Sequence, residues 1–281
     1  MLSYRHAFHA GNHADVLKHL TLSLVLEYFN RKDKPYWYID THSGAGLYDL
    51  RSREAQKVGE FKQGIGRLKN MQNLPETVSS FLSLIDRILP DKQLYCGSPW
   101  LAQALTRPSD KLRLFELHPA DFQYLQHNMR EACLGRKGQI RQEDGYHGLI
   151  SLLPPASRRA VILIDPPYEE KQDYTRVIHT LKEAQKRFAS GCYLVWYPCL
   201  SREESRRLPE QLKKLSPDQY LNAELHVHTP RADGFGMHGS GIFVINPPYL
   251  LAEQLQSALP ALQTALAQDE GAKTVLDFQI K

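Results

Sequence analysis

Hydrophobic positions along this chain follow two rhythms. Short runs rich in β-branched and aromatic residues, closed by Gly, Pro or Asp, alternate with longer stretches whose apolar residues recur at helical spacing. The runs at 36–40 (YWYID), 112–116 (LRLFE), 138–144 (GQIRQED), 160–165 (AVILID), 191–197 (GCYLVWY), 223–228 (AELHVH) and 241–246 (GIFVIN) read as strands. Between them PADFQYLQHNMREACL, YTRVIHTLKEAQKRFA and REESRRLPEQLKKL read as helices, the last interrupted or kinked at Pro209. Strands alternating with helices in this way predict a doubly wound α/β sheet.

Two stretches break the alternation. HADVLKHLTLSLVLEYFNR spaces its apolar residues for a helix ahead of the first strand. Residues 47–111 are far longer than one crossover helix and carry helical patterns of their own, EFKQGIGRLKNM and ETVSSFLSLIDRIL. Connections in compact domains run to about 2–6 residues plus a helix, so this segment predicts a small helical subdomain inserted into one domain spanning 1–281. Near the other end, AELHVH, TPRADGFGMHGS and GIFVIN read as strand, glycine-rich loop and strand, a hairpin whose second strand runs antiparallel to the rest.

Composition changes this picture little. Lys and Arg exceed Asp and Glu, 35 against 31, which permits nucleic-acid binding without arguing for it. The basic residues Arg5, Lys18, Arg51, Arg53, Arg158, Arg159, Arg202, Arg206 and Arg207 would hold nucleic-acid phosphates only where they share a face with one another and with a site. Cys96, Cys133, Cys192 and Cys199 show neither C-x-x-C spacing nor the density of a disulfide framework, so reduced thiols and no zinc site are expected. No signal-peptide pattern opens the chain and no apolar run reaches the roughly 18 residues of a membrane span. A cytoplasmic protein is expected, with no membrane contact and no evident obligate partner, acting as a monomer.

The strand ends bring in chemistry. DTHSGAG, Asp40 to Gly46, places glycines just past the first strand, where backbone can approach a ligand. It is not a full G-x-G-x-x-G, because Asp49 stands at the third glycine's position, so a dinucleotide phosphate cradle is disfavoured. Glu116 ends the second strand, where a carboxylate can accept from ribose hydroxyls, and Asp144-Gly145 end the third. Each of these alone is equally a strand-ending turn or a helix cap.

The sharper signal is IDPPY, Ile164 to Tyr168. Pro166 and Pro167 lack N–H donors, so the turn presents carbonyl oxygens without competing donors, and Asp165 adds a second kind of acceptor. Paired acceptors suit an exocyclic amine, whose lone pair becomes available once its hydrogens are held. Tyr168 supplies an aromatic face for a base taken out of its stack; a Pro-rich turn with Tyr168 in the core is the plainer alternative. INPPY, Ile245 to Tyr249, repeats the letters with one change, Asn246 for Asp165, but it follows the antiparallel strand and so falls about 17–20 Å away, at the other sheet edge. The hairpin loop 229–240 falls on the reactive edge, making Arg231, Met237 and His238 candidates for target recognition.

These motifs resemble the amino-methyltransferase branch of S-adenosylmethionine-dependent enzymes. With LSYRHAFHAGNHADVLKH, DTHSGAG, GSP, ELHP and LIDPPYE, the whole chain is similar to the RlmJ (YhiR) family of 23S ribosomal RNA adenine-N6 methyltransferases. The resemblance implies a Rossmann-like class I fold: a seven-stranded sheet with a C-terminal antiparallel hairpin and the helical insertion. It implies S-adenosyl-L-methionine as cofactor, contacted by His19, His42, Ser98, Glu116, Asp144, Gly145 and Asp165. Asp165 is the family's catalytic residue, with Pro166 and Tyr168 beside it, and Tyr4 matches a position near the substrate adenine. His6, His9 and His13 crowd the same N-terminal run but match no zinc spacing, so no metal is expected among them. Other readings compatible with the motifs are a DNA adenine-N6 or cytosine-N4 methyltransferase, or a non-catalytic nucleic-acid-binding protein serving use of external DNA.

Overall fold

A computed structural model describes residues 5–280. Its centre is an eight-stranded sheet with strand order β10-β8-β9-β7-β6-β1-β4-β5. The strands are β1 (Trp37–Asp40), β4 (Lys111–Phe115), β5 (Gly138–Arg141), β6 (Ala160–Ile164), β7 (Cys192–Cys199), β8 (Tyr220–His226), β9 (Gly239–Ile245) and β10 (Lys273–Gln279). From β5 to β7 all neighbours are parallel, whereas β9 runs antiparallel to both β7 and β8. The expected hairpin is therefore present, and its second strand has the expected direction.

The count differs from seven because β10 adds itself antiparallel to β8 over 273–279. Its KTVLDFQ mixes charge with a half-buried Val275 and Leu276 and an exposed Phe278, so it lacks the apolar density of the other strands. By contrast AVILI of β6 is buried at every position, as expected for a parallel strand covered on both faces.

Helices cover both faces. On one lie α1 (His13–Asn30), α5 (Ser98–Leu105) and α10 (Leu251–Leu266), sharing a core with Leu112, Leu163, Leu194 and Val244. On the other lie α7 (Gly145–Leu152), α8 (Lys171–Arg187) and α9 (Glu203–Leu215), packed on Ile162, Ile164, Val195 and Phe243. The remaining helix α6 (Pro119–Glu131) follows β4 and sends Leu125 and Met129 into the first core. Helix α9 runs on through Pro209, where an interruption was expected.

Helix α1 is buried without interruption from His13 to Leu26, so it is a core helix rather than an amphipathic surface one. Residues 47–111 hold a two-stranded sheet of β2 (Leu47–Asp49) and β3 (Leu94–Cys96), with α2 (Arg53–Val58), α3 (Ile65–Lys69) and α4 (Glu76–Ile88) between them, and then α5. At Gly64 an added Cβ would sit 2.1 Å from the Gly11 carbonyl oxygen, so this glycine lets α3 approach the N-terminal run.

Candidate active site

A cavity of about 710 Å³ opens at the carboxyl ends of the parallel strands. Strand β1 ends in Asp40, next to Thr41 and His42 of the lining. This fully buried carboxylate accepts from the Tyr38 hydroxyl and from Ser98 Oγ, each at 2.7 Å, and from the His42 N–H at 3.3 Å. Ser98, which opens α5, thus holds the end of β1 while lining the cavity.

Burial raises the Asp40 pKa from 3.8 to about 6, against the opposing pull of those hydroxyl donors. Between those values the unfolded chain has lost a proton that the folded chain keeps, so this group's stabilisation falls as pH rises through the window and then levels. The shift corresponds to roughly 3 kcal/mol. Denaturant unfolding of Asp40→Asn is expected to lack this component between about pH 4 and 6; a wild-type slope in the variant would show that Asp40 does not titrate there.

The next two strand ends behave differently from each other. Glu116 accepts the Gly44 N–H on one oxygen at 2.8 Å and the His118 N–H on the other at 2.7 Å. Each oxygen keeps a further lone pair, so the carboxylate can still accept from a pair of hydroxyls. Burial pushes its pKa upward, partly offset by those two donors. Asp144 instead caps α7, accepting from the Tyr146 N–H at 2.9 Å, and pairs with the Arg176 guanidinium. The helix-cap reading of Asp144 is thus correct, and the same residue lines the cavity.

His19 and His42 also line the cavity. Burial pushes His19 down to about 3 and His42 down to about 4, leaving both neutral. His19 Nδ1 lies 2.9 Å from the Tyr95 hydroxyl, and His42 Nδ1 lies 2.8 Å from Thr41 Oγ1. Gly145 meets the end of β1 so closely that a Cβ there would stand 1.9 Å from the Thr41 carbonyl oxygen.

At the end of β6 the structure adds a charge chain that the motifs did not reveal. Lys18 Nζ, on buried α1, lies 2.7 Å from Asp165 Oδ2 and 2.9 Å from Asp15 Oδ1. Asp15 Oδ2 in turn accepts the Gly11 N–H at 2.8 Å and meets His6 Nε2 at 2.9 Å. Sequence reasoning placed Lys18 among the surface bases, yet its exposure is 4 %. The available signal was an Asp-x-x-Lys pair on one face of a helix with no polar side. For Lys18 burial opposes the charge, but Asp15 and Asp165 together raise its pKa and keep it an ammonium. For Asp165 burial wins over Lys18, so its pKa is raised.

Tyr168 departs from the expected stacking platform. It is 2 % exposed, its ring centroid lies 4.7 Å from that of Tyr174, and its hydroxyl donates to the Trp196 carbonyl at 2.8 Å. Its φ of +50° bends the turn so that the ring enters the core behind Pro166 and Pro167, which line the cavity with Asp165. The broader aromatic wall is Trp196 of β7, half-buried, with the Lys18 ammonium 5.6 Å from its ring. Tyr4 lies outside the described residues.

The basic residues named from sequence do not form one face. Arg202 lines the cavity, and so does Arg231. Arg158 and Arg159 precede β6 at the far edge, where Arg159 donates to the carbonyls of Phe29 and Lys34. Arg51 pairs with Asp49 and Asp91, and Arg207 with Glu203. From the hairpin loop, Met237 reaches the cavity with Arg231, whereas His238 is buried against His226. Asn246 of INPPY donates at 2.7 Å to the carbonyls of Ala189 and Gly191, just before β7, on the edge opposite the cavity.

A family model described as Ribosomal RNA large subunit methyltransferase D, RlmJ, matches residues 33–278. The Ribosomal RNA large subunit methyltransferase J of Haemophilus influenzae is 43% identical over 279 residues, covering 98% of each chain. Its namesake in Escherichia coli K12 is 44% identical over 268 residues, 95% of this chain and 94% of that one. A solved protein of Legionella pneumophila shares 34% identity and superposes with a TM-score of 0.88 over 97% of this chain and 99% of its own.

Proposed function

Because the chain belongs to the RlmJ family of large-subunit ribosomal RNA methyltransferases, we propose that it methylates N6 of an adenine in 23S ribosomal RNA with S-adenosylmethionine as donor. The observation that carries this reading is one cavity joining the ends of β1, β4 and β5 to the Asp165-Pro-Pro turn. The lining fits the cofactor, because Glu116 keeps lone pairs for a pair of hydroxyls, and Gly44 and Gly145 let the chain pack against the Tyr48 hydroxyl and the Thr41 carbonyl so tightly that backbone borders the cavity there. When bound there, the cofactor would supply a methyl group already activated on a sulfonium.

The chain's own residues do the rest. Glu116 would accept from the cofactor's ribose hydroxyls, and Asp144, Gly145, His19, His42 and Ser98 would complete its binding wall. Asp165 and the Pro166 carbonyl accept the two hydrogens of the target amine, which frees the nitrogen lone pair to point at the methyl group. Lys18 fixes the Asp165 carboxylate, and Asp15 with His6 fixes Lys18. Trp196 and the edge of Tyr168 wall the flipped base. The raised pKa of Asp165 suits it to take the amine proton after transfer. Arg202 and Arg231 at the cavity hold the RNA backbone, where contacts position without reading sequence.

Among the described residues no helix is long and apolar enough to cross a membrane. Action in the cytoplasm, as a monomer with residues 47–111 forming a helical subdomain beside the cavity, completes the proposal. In the test, ribosomal RNA from a strain lacking the gene is digested to nucleosides. One N6-methyladenosine of 23S RNA is expected to vanish and to return when the purified protein acts on that RNA with S-adenosylmethionine. Unchanged 23S RNA, or a new methyl group on DNA or cytosine only, would sink the assignment.

A further inference from the structure

At the base of the 227–238 loop, three adjacent strands bring unlike donors into one trough. Strand β9 lies between β7 and β8, and its Gly239 is opposite both Cys199 and His226. Two positions further along β9, Gly241 is opposite both Tyr197 and Glu224. Residues directly opposite one another share a sheet face. The two glycines therefore leave a gap over which Cys199 and Tyr197 lean towards His226 and Glu224. The gap is needed, since a Cβ on Gly241 would stand 2.2 Å from the Tyr197 ring.

We propose that Cys199, Glu224 and His226 form a binding site for a thiophilic divalent cation of the zinc or cobalt type, held by three protein ligands with the fourth position open. One donor atom from each of the three lies within 4.8 Å of the other two. Zinc bonds of about 2.0–2.3 Å place tetrahedral ligands roughly 3.3–3.8 Å apart, so closure needs only rotamer adjustment. His226 Nε2 and Glu224 Oε2 stand 2.8 Å apart and would open slightly around the ion.

The outer partners of such a site are also in place. His226 Nδ1 lies 3.2 Å from His238 Nδ1, so it can donate its single ring N–H there and present Nε2 to the ion. The two rings are nearly parallel, with an interplanar angle of 16°, which makes His238 an orienting partner rather than a fourth ligand. Glu224 Oε1 accepts from the Tyr197 hydroxyl at 2.8 Å, leaving Oε2 for the ion. Binding converts the Cys199 thiol to a metal-bound thiolate and releases one proton to solvent. His238 N–H also donates to the Cys199 carbonyl at 3.1 Å. The ion would thus tie both ends of the loop bearing Arg231 and Met237 to β7. Sequence spacing gives no hint of the site, because its ligands come from separate strands.

The test uses the full chain stripped with a chelator and titrated with cobalt(II). A thiolate-to-cobalt charge-transfer band saturating at one ion per chain and displaced by zinc is expected. The band should be absent in Cys199→Ser, and the affinity 10–100-fold weaker in His238→Ala. Should Cys199→Ser fail to fold by circular dichroism, Glu224→Gln gives the same arm through weaker cobalt binding. No band in the wild-type chain, or a band that survives Cys199→Ser and so arises at Cys96, Cys133 or Cys192, overturns the proposal. Neither outcome bears on methyl transfer, so the two readings stand or fall separately.

Discussion

Asp165→Ala is expected to lower methyl transfer by roughly 10²–10⁴-fold, the range typical for loss of a positioned acid–base group. Cofactor affinity should change far less, because Glu116, Asp144 and the glycine-lined wall remain. The variant keeps its fold for a specific reason. Removing one partner from a buried ion pair costs about 3–5 kcal/mol when it strands the other charge. Here Lys18 retains Asp15 at 2.9 Å, so the remaining ammonium is still paired. Single-turnover transfer to unmodified 23S RNA, beside a thermal melt, separates chemistry from folding. A melting point near wild type with full activity would remove Asp165 from the mechanism. The wild-type rate should also rise with pH through the raised Asp165 pKa, since the ionised carboxylate is the stronger acceptor and the form that can take the amine proton.

That prediction rests on two kinds of legibility. Asp165, Glu116 and Gly145 were readable because each lies just past a strand, and the segments that follow the strands of a doubly wound sheet converge by topology. The same logic separated the two prolyl turns: letters alike but for Asp165 against Asn246, opposite edges, decided by the direction of β9. Lys18 and His6 were not readable, because a lysine is ordinarily solvated and only the burial of α1 on all sides reverses that expectation. Trp196 was hidden by strand parity. In GCYLVWY the alternation does not say which face meets solvent; the structure puts Tyr193, Val195 and Tyr197 in one core and leaves Trp196 facing the cavity. Tyr168 was misplaced for a backbone reason, since nothing in IDPPY announces a positive φ at a tyrosine.

Gly145→Ala tests the cofactor side of the cavity with a single methyl group. By helix propensity alone the change would favour α7 by up to about 1 kcal/mol, because glycine is a poor helix former. Space decides otherwise. The added Cβ would meet the Thr41 carbonyl oxygen at 1.9 Å, its carbon at 2.6 Å and its Cα at 2.7 Å, all backbone atoms with no rotamer to yield. The end of β1 and the start of α7 must then separate by roughly 1 Å or more, at an overpacking cost of about 1–3 kcal/mol. Both of those segments line the cavity, and a displacement of that size commonly costs about 10²-fold in a positioned reaction. Binding of S-adenosylhomocysteine followed by calorimetry should weaken steeply. Gly135→Ala serves as the control, since a Cβ there meets nothing within 4 Å, although its φ of +54° carries local strain. Wild-type cofactor affinity in Gly145→Ala would mean that the cofactor does not rely on the contact between Thr41 and α7. The Asp165 turn would then have to be served from another part of the cavity.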